Sequence, residues 1–164
     1  MKYLIHCDGI AEPNPGHGAW AFIVFDGTGQ EVASKSGYIG SNVTNNVAEY
    51  RAVIEALVWC HELDEDECLI QTDSQLVVNQ LNGSWQVKSD NLRSWYDNAK
   101  DLLEPHVRIE WVKGSDNKAD ELTRQEYMKA TNLYPHPREK GQYKVKFTPA
   151  RDMPKVEQLT DCPF

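Results

Sequence analysis

Four carboxylates stand where an apolar pattern alone would not put them. Asp8 follows directly on the apolar run "KYLIHC", and Asp73 closes the short run "ECLIQT". Glu49 interrupts the apolar face of "TNNVAEYRAVIEALVWCHEL" near its beginning, and Asp120 lies in the first turns of "NKADELTRQEYMKAT". An aspartate after a strand often does no more than end it or cap the next helix. Four acids converging are another matter, because packed carboxylates repel and raise one another's pKa. Such a cluster is tolerated chiefly when divalent cations neutralise it. Oxygen donors alone, without Cys or His, suit Mg²⁺ or Mn²⁺ rather than zinc. Two such ions about 3.5–4 Å apart can hold an attacking water and the leaving oxygen of a phosphodiester.

The elements that must bring these acids together can be read from the pattern. Strands are expected over 2–8, 18–26 and 31–39, the last two joined by the turn "GTG". A helix over 44–63 shows a wide apolar stripe, with Thr44, Asn45 and Asn46 as capping residues. A strand over 67–73 follows, then a short helix capped by Ser74 and stopped by Gly83. A helix over 91–104 ends at Pro105, a strand covers 107–112, and Asp116 is expected to cap a last helix. The order βββαβααβα, a meander followed by alternation, predicts an α/β fold: a mixed five-stranded sheet flanked by helices. If strands one and four are neighbours, Asp8 and Asp73 stand side by side, Glu49 looks down on both, and Asp120 closes the set. In such sheets sites gather at strand ends.

Bulk properties narrow the classes. A chain of 164 residues is the size of one compact domain. No apolar run approaches the roughly 18 residues of a membrane span, and the first residues lack the look of a signal peptide. A soluble, cytoplasmic monomer with no membrane partner is the expectation. Cys7, Cys60, Cys68 and Cys162 show no zinc spacing and read as reduced thiols. The net charge of −8 argues against a basic, sequence-blind nucleic-acid binder. That charge is uneven: residues 134–164 carry six Lys/Arg and four Asp/Glu, a balance of +2, which leaves −10 for residues 1–133. The expected division is a catalytic domain over 1–133 and a partly ordered C-terminal extension over 134–164. Its stretch "REKGQYKVKFTPAR" interleaves basic and aromatic residues, which suits nucleic-acid contact, a protein partner, or an extra strand along the domain.

Four blocks carry a resemblance. "DGIAEPNPGHGAW" resembles the opening motif of type 1 ribonuclease H, "TNNVAEYRAVIEAL" its glutamate-bearing helix, "TDSQLVV" its TDS-Q motif, and "WVKGSDNKADELTRQ" its closing segment. They occur in the family's order and at about its spacing, over residues 1 to about 130. The resemblance implies the ribonuclease H-like fold. It further implies that Asp8, Glu49, Asp73 and Asp120 hold two Mg²⁺ ions, with Mn²⁺ able to substitute. The family cuts the RNA strand of an RNA–DNA hybrid, leaving 5′-phosphate and 3′-hydroxyl ends. Asn14, Asn46 and Gln75 match residues that meet the RNA sugar edge, with Asn45 beside them. These amides donate and accept, as reading a 2′-hydroxyl requires. Thr44 matches a residue that grips a DNA-strand phosphate, and Trp85 with Lys88 falls where DNA-strand contact is expected. Pro13, Pro15 and Gly16 then shape the turn presenting Asn14.

Two departures stand beside the resemblance. The loop "KGSDNKAD" lacks the histidine that many members place there to help product leave, so Lys113 or Lys118 assists or release proceeds without help. Its shortness also leaves Asp116 one helical turn upstream of Asp120. Between Gly83 and Asn91 there is only "SWQVKSD", so the basic, Trp-rich insertion of some members is missing, and Ser89 stands near a usual asparagine. Two other classes stay open: a hybrid-binding module of the same fold without strong catalysis, and a DNA-directed nuclease of the same superfamily.

Overall fold

In the computed structural model, which describes residues 2–63, 66–131, 133–134 and 144–145, the chain opens with an antiparallel meander. Its strands are β1 (Lys2–Glu12), β2 (Gly16–Phe25) and β3 (Glu31–Val43). The expectation that the first strand stops at residue 8 falls four residues short. Ile10 and Ala11 are buried, and the ladder to β2 runs on to Glu12 paired with His17. Asp8 therefore lies in mid-strand, held on its β2 side by regular pairing with Ala21. β3 likewise continues past residue 39, because Ile39 and Val43 both bury their side chains.

Helix α1 (Asn45–His61) then crosses one face of the sheet. The Thr44 hydroxyl accepts the Val47 N–H at 3.2 Å, which starts the helix where capping chemistry predicts. Strand β4 (Glu67–Thr72) returns parallel to β1. Helices α2 (Gln75–Leu81) and α3 (Asp90–Leu102) lead to β5 (Val107–Trp111), parallel to β4. The sheet order is β3-β2-β1-β4-β5, the mixed five-stranded sheet expected from the sequence. Helix α4 (Asp120–Thr131) starts later than expected. Asp116 does not cap it but belongs to a 3-10 turn over Gly114–Asp116. The reason is tertiary: the Asn117 side chain accepts the Ala119 N–H at 3.1 Å and donates to Cys7 O at 2.9 Å, so the chain docks on β1 before it turns helical.

The main core lies between the sheet and α1 with α3, built from residues such as Ile5, Phe22, Ile54, Leu57, Ile70 and Trp95. Each fully buried side chain of this size contributes about 2 kcal/mol. A smaller cluster on the other face packs Tyr127 of α4 against Ile10 and Ala19, and the Tyr127 hydroxyl donates to Glu12 O at 2.9 Å. Both faces thus clamp β1 beyond the point where β4 leaves it. A separate ribbon pairs β6 (Leu133–Tyr134) with β7 (Lys144–Val145). The rest of the expected extension, and with it most of "REKGQYKVKFTPAR", lies outside the described residues. Among the described residues, no helix is long and apolar enough to cross a membrane.

Candidate active site

The β1–β4 ladder ends at His6 paired with Gln71. Asp8 and Asp73 each come two residues later, at the same level, where β4 gives way to the bend before α2. Gly9 brings in the third acid. A Cβ at Gly9 would sit 2.2 Å from the backbone of Ala48, so only glycine lets the first turn of α1 rest on β1. From that turn Glu49 reaches over the sheet, where its Oε2 accepts the Gly9 N–H at 3.3 Å and the Thr72 hydroxyl at 3.4 Å. As a result, carboxylate oxygens of Asp8, Glu49 and Asp73 all lie within 4.8 Å of one another.

This arrangement is electrostatically costly. Burial, reinforced by the charges of Asp73 and Asp120, pushes the Asp8 carboxyl well above the usual range, with the Thr123 hydroxyl pulling the other way. Glu49 is pushed up by burial and then by Asp8 and Asp73, against the Gly9 N–H and the Thr72 hydroxyl. Among the described residues no Lys or Arg pairs with any of the three. Asp73 has a buried Oδ1 with no hydrogen-bond partner. Its backbone is held by Trp111, whose indole N–H donates to Asp73 O at 3.2 Å, and Gly114 leaves open the space beside its Oδ2. Three crowded oxygen donors, one of them orphaned and none neutralised, fit a hard divalent cation such as Mg²⁺.

Asp120 stands beside this group rather than in it. It is the first residue of α4, and its Oδ2 lies 3.1 Å from Arg124 Nε. The start of α4 is nonetheless tied to β1. Lys118 N–H donates to His6 Nδ1 at 2.9 Å, and the buried Thr123 hydroxyl lies 2.9 Å from Ala119 O and 3.3 Å from Asp8 O. His6, whose pKa burial lowers, turns its other ring nitrogen to Gln71 at 3.1 Å. Asp116 is exposed on its turn, and Lys113 is exposed too. Lys118 places its Nζ 4.7 Å over the Phe25 ring.

The polar residues divide in two. Asn14, Thr44, Asn46 and Trp85 line one groove of about 840 Å³, together with Lys88 and Ser89. Gln75 and Asn45 are not part of that wall. Gln75 is exposed at the start of α2. Asn45 instead braces the turn over 13–15: its Oδ1 accepts the Ala11 N–H at 2.9 Å, and its own N–H donates to Asn14 Oδ1 at 3.0 Å. Trp85 is half exposed above the groove. Sequence reasoning missed Thr72, Thr123 and Gln80. Gln80 is buried, accepts the Tyr50 hydroxyl at 2.5 Å and reaches Gln86 O at 3.4 Å, so it fastens the loop bearing Trp85. Its only signal was a polar residue inside the apolar stripe of "QLVVNQL".

Comparison with known proteins places these features. A family model described as reverse transcriptase-like matches residues 6–125. A bifunctional protein of Mycobacterium tuberculosis is 37% identical over 119 residues, covering 71% of this chain and 33% of its own. The chain thus spans about a third of the length of the first curated relatives it matches. A ribonuclease H of Chlorobium chlorochromatii is 32% identical over 151 residues, covering 79% of this chain and 98% of its own. Among solved structures, LC11-RNase H1 in complex with an RNA/DNA hybrid superposes with a TM-score of 0.70 at 29% identity, covering 78% of this chain and 98% of that one.

Proposed function

This chain belongs to the type 1 ribonuclease H family, and on that premise we propose that it is a metal-dependent endonuclease cutting the RNA strand of RNA–DNA hybrids. The observation that carries the reading is the meeting of Asp8, Glu49 and Asp73 within 4.8 Å, with a buried Asp73 oxygen left unpartnered. These three would hold two Mg²⁺ or Mn²⁺ ions, and Asp120 would complete the set by turning from Arg124. When bound, such ions supply an activated water and neutralise charge on the leaving oxygen. The protein's own groups do the rest. Glu49 is fixed by the Gly9 N–H and the Thr72 hydroxyl, and Asp8 by its place in a paired strand, so these two acids need no reorganisation.

Substrate choice rests on the amides. Asn14, Asn46 and Gln75 offer donors and acceptors to 2′-hydroxyls in the minor groove of a hybrid, and Asn45 holds the turn that presents Asn14. Thr44 would take a phosphate of the DNA strand, with Trp85 and Lys88 further along it. Products would carry 5′-phosphate and 3′-hydroxyl ends. The related structure containing an RNA/DNA hybrid supports this choice of partner.

The test is a labelled hybrid incubated with the protein in Mg²⁺ and in EDTA, beside DNA duplex and double-stranded RNA. Cleavage is expected of the hybrid alone, and only with metal. Asp73→Asn should lower it by about 10³-fold or more while circular dichroism stays unchanged. Retained cleavage would break the mechanism. The pairing of Asp120 with Arg124 favours one second reading, a hybrid-binding module without strong catalysis. It predicts a hybrid that is bound and shifted in a gel but not cut in either metal.

A further inference from the structure

The loop between α2 and α3, residues 82–89, carries no helix or strand, yet its backbone is held at several points. Gly83 turns the chain with a φ of 82°, and the Ser84 and Trp85 N–H groups both donate to Asn79 O, at 2.8 and 3.0 Å. Val87 is buried, and its carbonyl accepts Arg93 Nη2 at 2.8 Å. The remaining hold differs in kind. Gln80 is buried and reaches in two directions: its Oε1 accepts the Tyr50 hydroxyl of α1 at 2.5 Å, and its Nε2 donates to Gln86 O at 3.4 Å. An amide does both at once, whereas Glu lacks the donor and Leu lacks both groups.

Stability alone does not call for this pair. Tyr50 is fully buried, and replacing both partners with apolar groups of similar shape is close to neutral for folding. What the pair does provide is a link. The groove of about 840 Å³ takes its lining partly from the start of α1, at Thr44 and Asn46, and partly from the loop, at Ser84, Trp85 and Lys88. Gln80 joins the helix to the loop. Trp85 is the loop's one aromatic residue and Lys88 its one cation. The Trp85 indole is half exposed on a fixed backbone, an apolar face held out to be covered.

We propose that Gln80 is a positioning residue for substrate binding, whose amide holds Trp85 and Lys88 at a fixed span from Thr44 and Asn46. The groove then meets an RNA–DNA hybrid already shaped, which rests on the hybrid-directed reading given above. A loop without this brace must be ordered when the hybrid arrives, and that cost enters binding rather than chemistry. The acids are untouched by it.

The test compares the full chain with a variant carrying Gln80→Leu and Tyr50→Phe together, so that no buried polar group is left without a partner. Its Tm should stay within about 2 °C of the parent. KM for a labelled hybrid in Mg²⁺ should rise about tenfold while kcat changes by less than about twofold. In a Trp85→Ala background the same pair of changes should raise KM by only about twofold, because the side chain being positioned is gone. Hydrogen exchange on the parent needs no substitution: the Ser84 and Trp85 amides should already be protected in the free protein, and hybrid should add little. A parent-like KM in the variant, an equal effect with and without Trp85, or free exchange of those two amides overturns the proposal. A parent chain that neither binds nor cuts hybrid overturns the reading beneath it instead.

Discussion

Asp8 and Glu49 are asked to be anions in surroundings that oppose charge. Burial and neighbouring acids raise both pKa values in the folded state, so without metal the folded protein holds protons that the unfolded chain would release. The linkage has a definite sign. The contribution of these groups to stability is fully present below the ordinary carboxylate value, roughly pH 4. It is lost as pH rises through the raised folded values. Asp8→Asn keeps the shape and removes one charge from the cluster. In EDTA at neutral pH this variant should melt higher than its parent by several degrees, the gap closing towards pH 4. Adding Mg²⁺ should raise the melting temperature of the parent but hardly that of the variant. Calorimetry across pH, with and without metal, reads both effects. A variant less stable than its parent in EDTA at neutral pH would contradict the electrostatic account.

At the scale of elements, the site depends on how closely α1 lies on β1. Gly9 sets that distance, since a methyl group there would press into the Ala48 backbone. Gly9→Ala should cost about 3 kcal/mol or more, because backbone must move to admit it. The surviving folded protein should also respond more weakly to Mg²⁺, since Glu49 is carried off with the helix; chemical denaturation followed by metal titration measures both. The same junction shows what the sequence makes legible. The apolar stripe and the cap at Thr44 announce α1, and an acid after each of two apolar runs marks Asp8 and Asp73. Local pattern fails where the cause lies elsewhere in the chain. "DG" reads as a strand terminus, yet β1 continues because β2 goes on pairing with it to Glu12. Asp116 looks like a cap, yet Asn117 is already spent on Cys7 and Ala119, and the helix waits for Asp120. Thr72 and Thr123 gain their roles only from what folds against them, so no spacing reveals them. The opposite holds for Asn14: the Pro-rich turn was readable, and its brace by Asn45 was not.

For the whole molecule, charge sets the terms of binding. Residues 1–133 carry −10, and a duplex is a polyanion. Recognition by groove shape and hydroxyls needs few phosphate pairs, but those few should be sensitive to salt. Two such contacts predict about a tenfold fall in cleavage at sub-saturating hybrid between about 50 and 200 mM salt. A rate indifferent to salt over that range would remove phosphate contact from the account. A chain ending at residue 133 that keeps the same slope would exclude the 134–164 segment from the interface.

One feature of the sheet reaches beyond binding. β1 pairs with β2 across a turn of three residues, but it pairs with β4 across a separation of 65, as at His6 and Gln71. Contacts so distant along the chain form late, after the entropy of closing the intervening loop has been overcome. The hairpin can therefore be complete while Asp8 and Asp73 are still far apart. A newly made or half-refolded molecule would be a harmless meander, and the ability to capture metal would arrive with the final act of assembly.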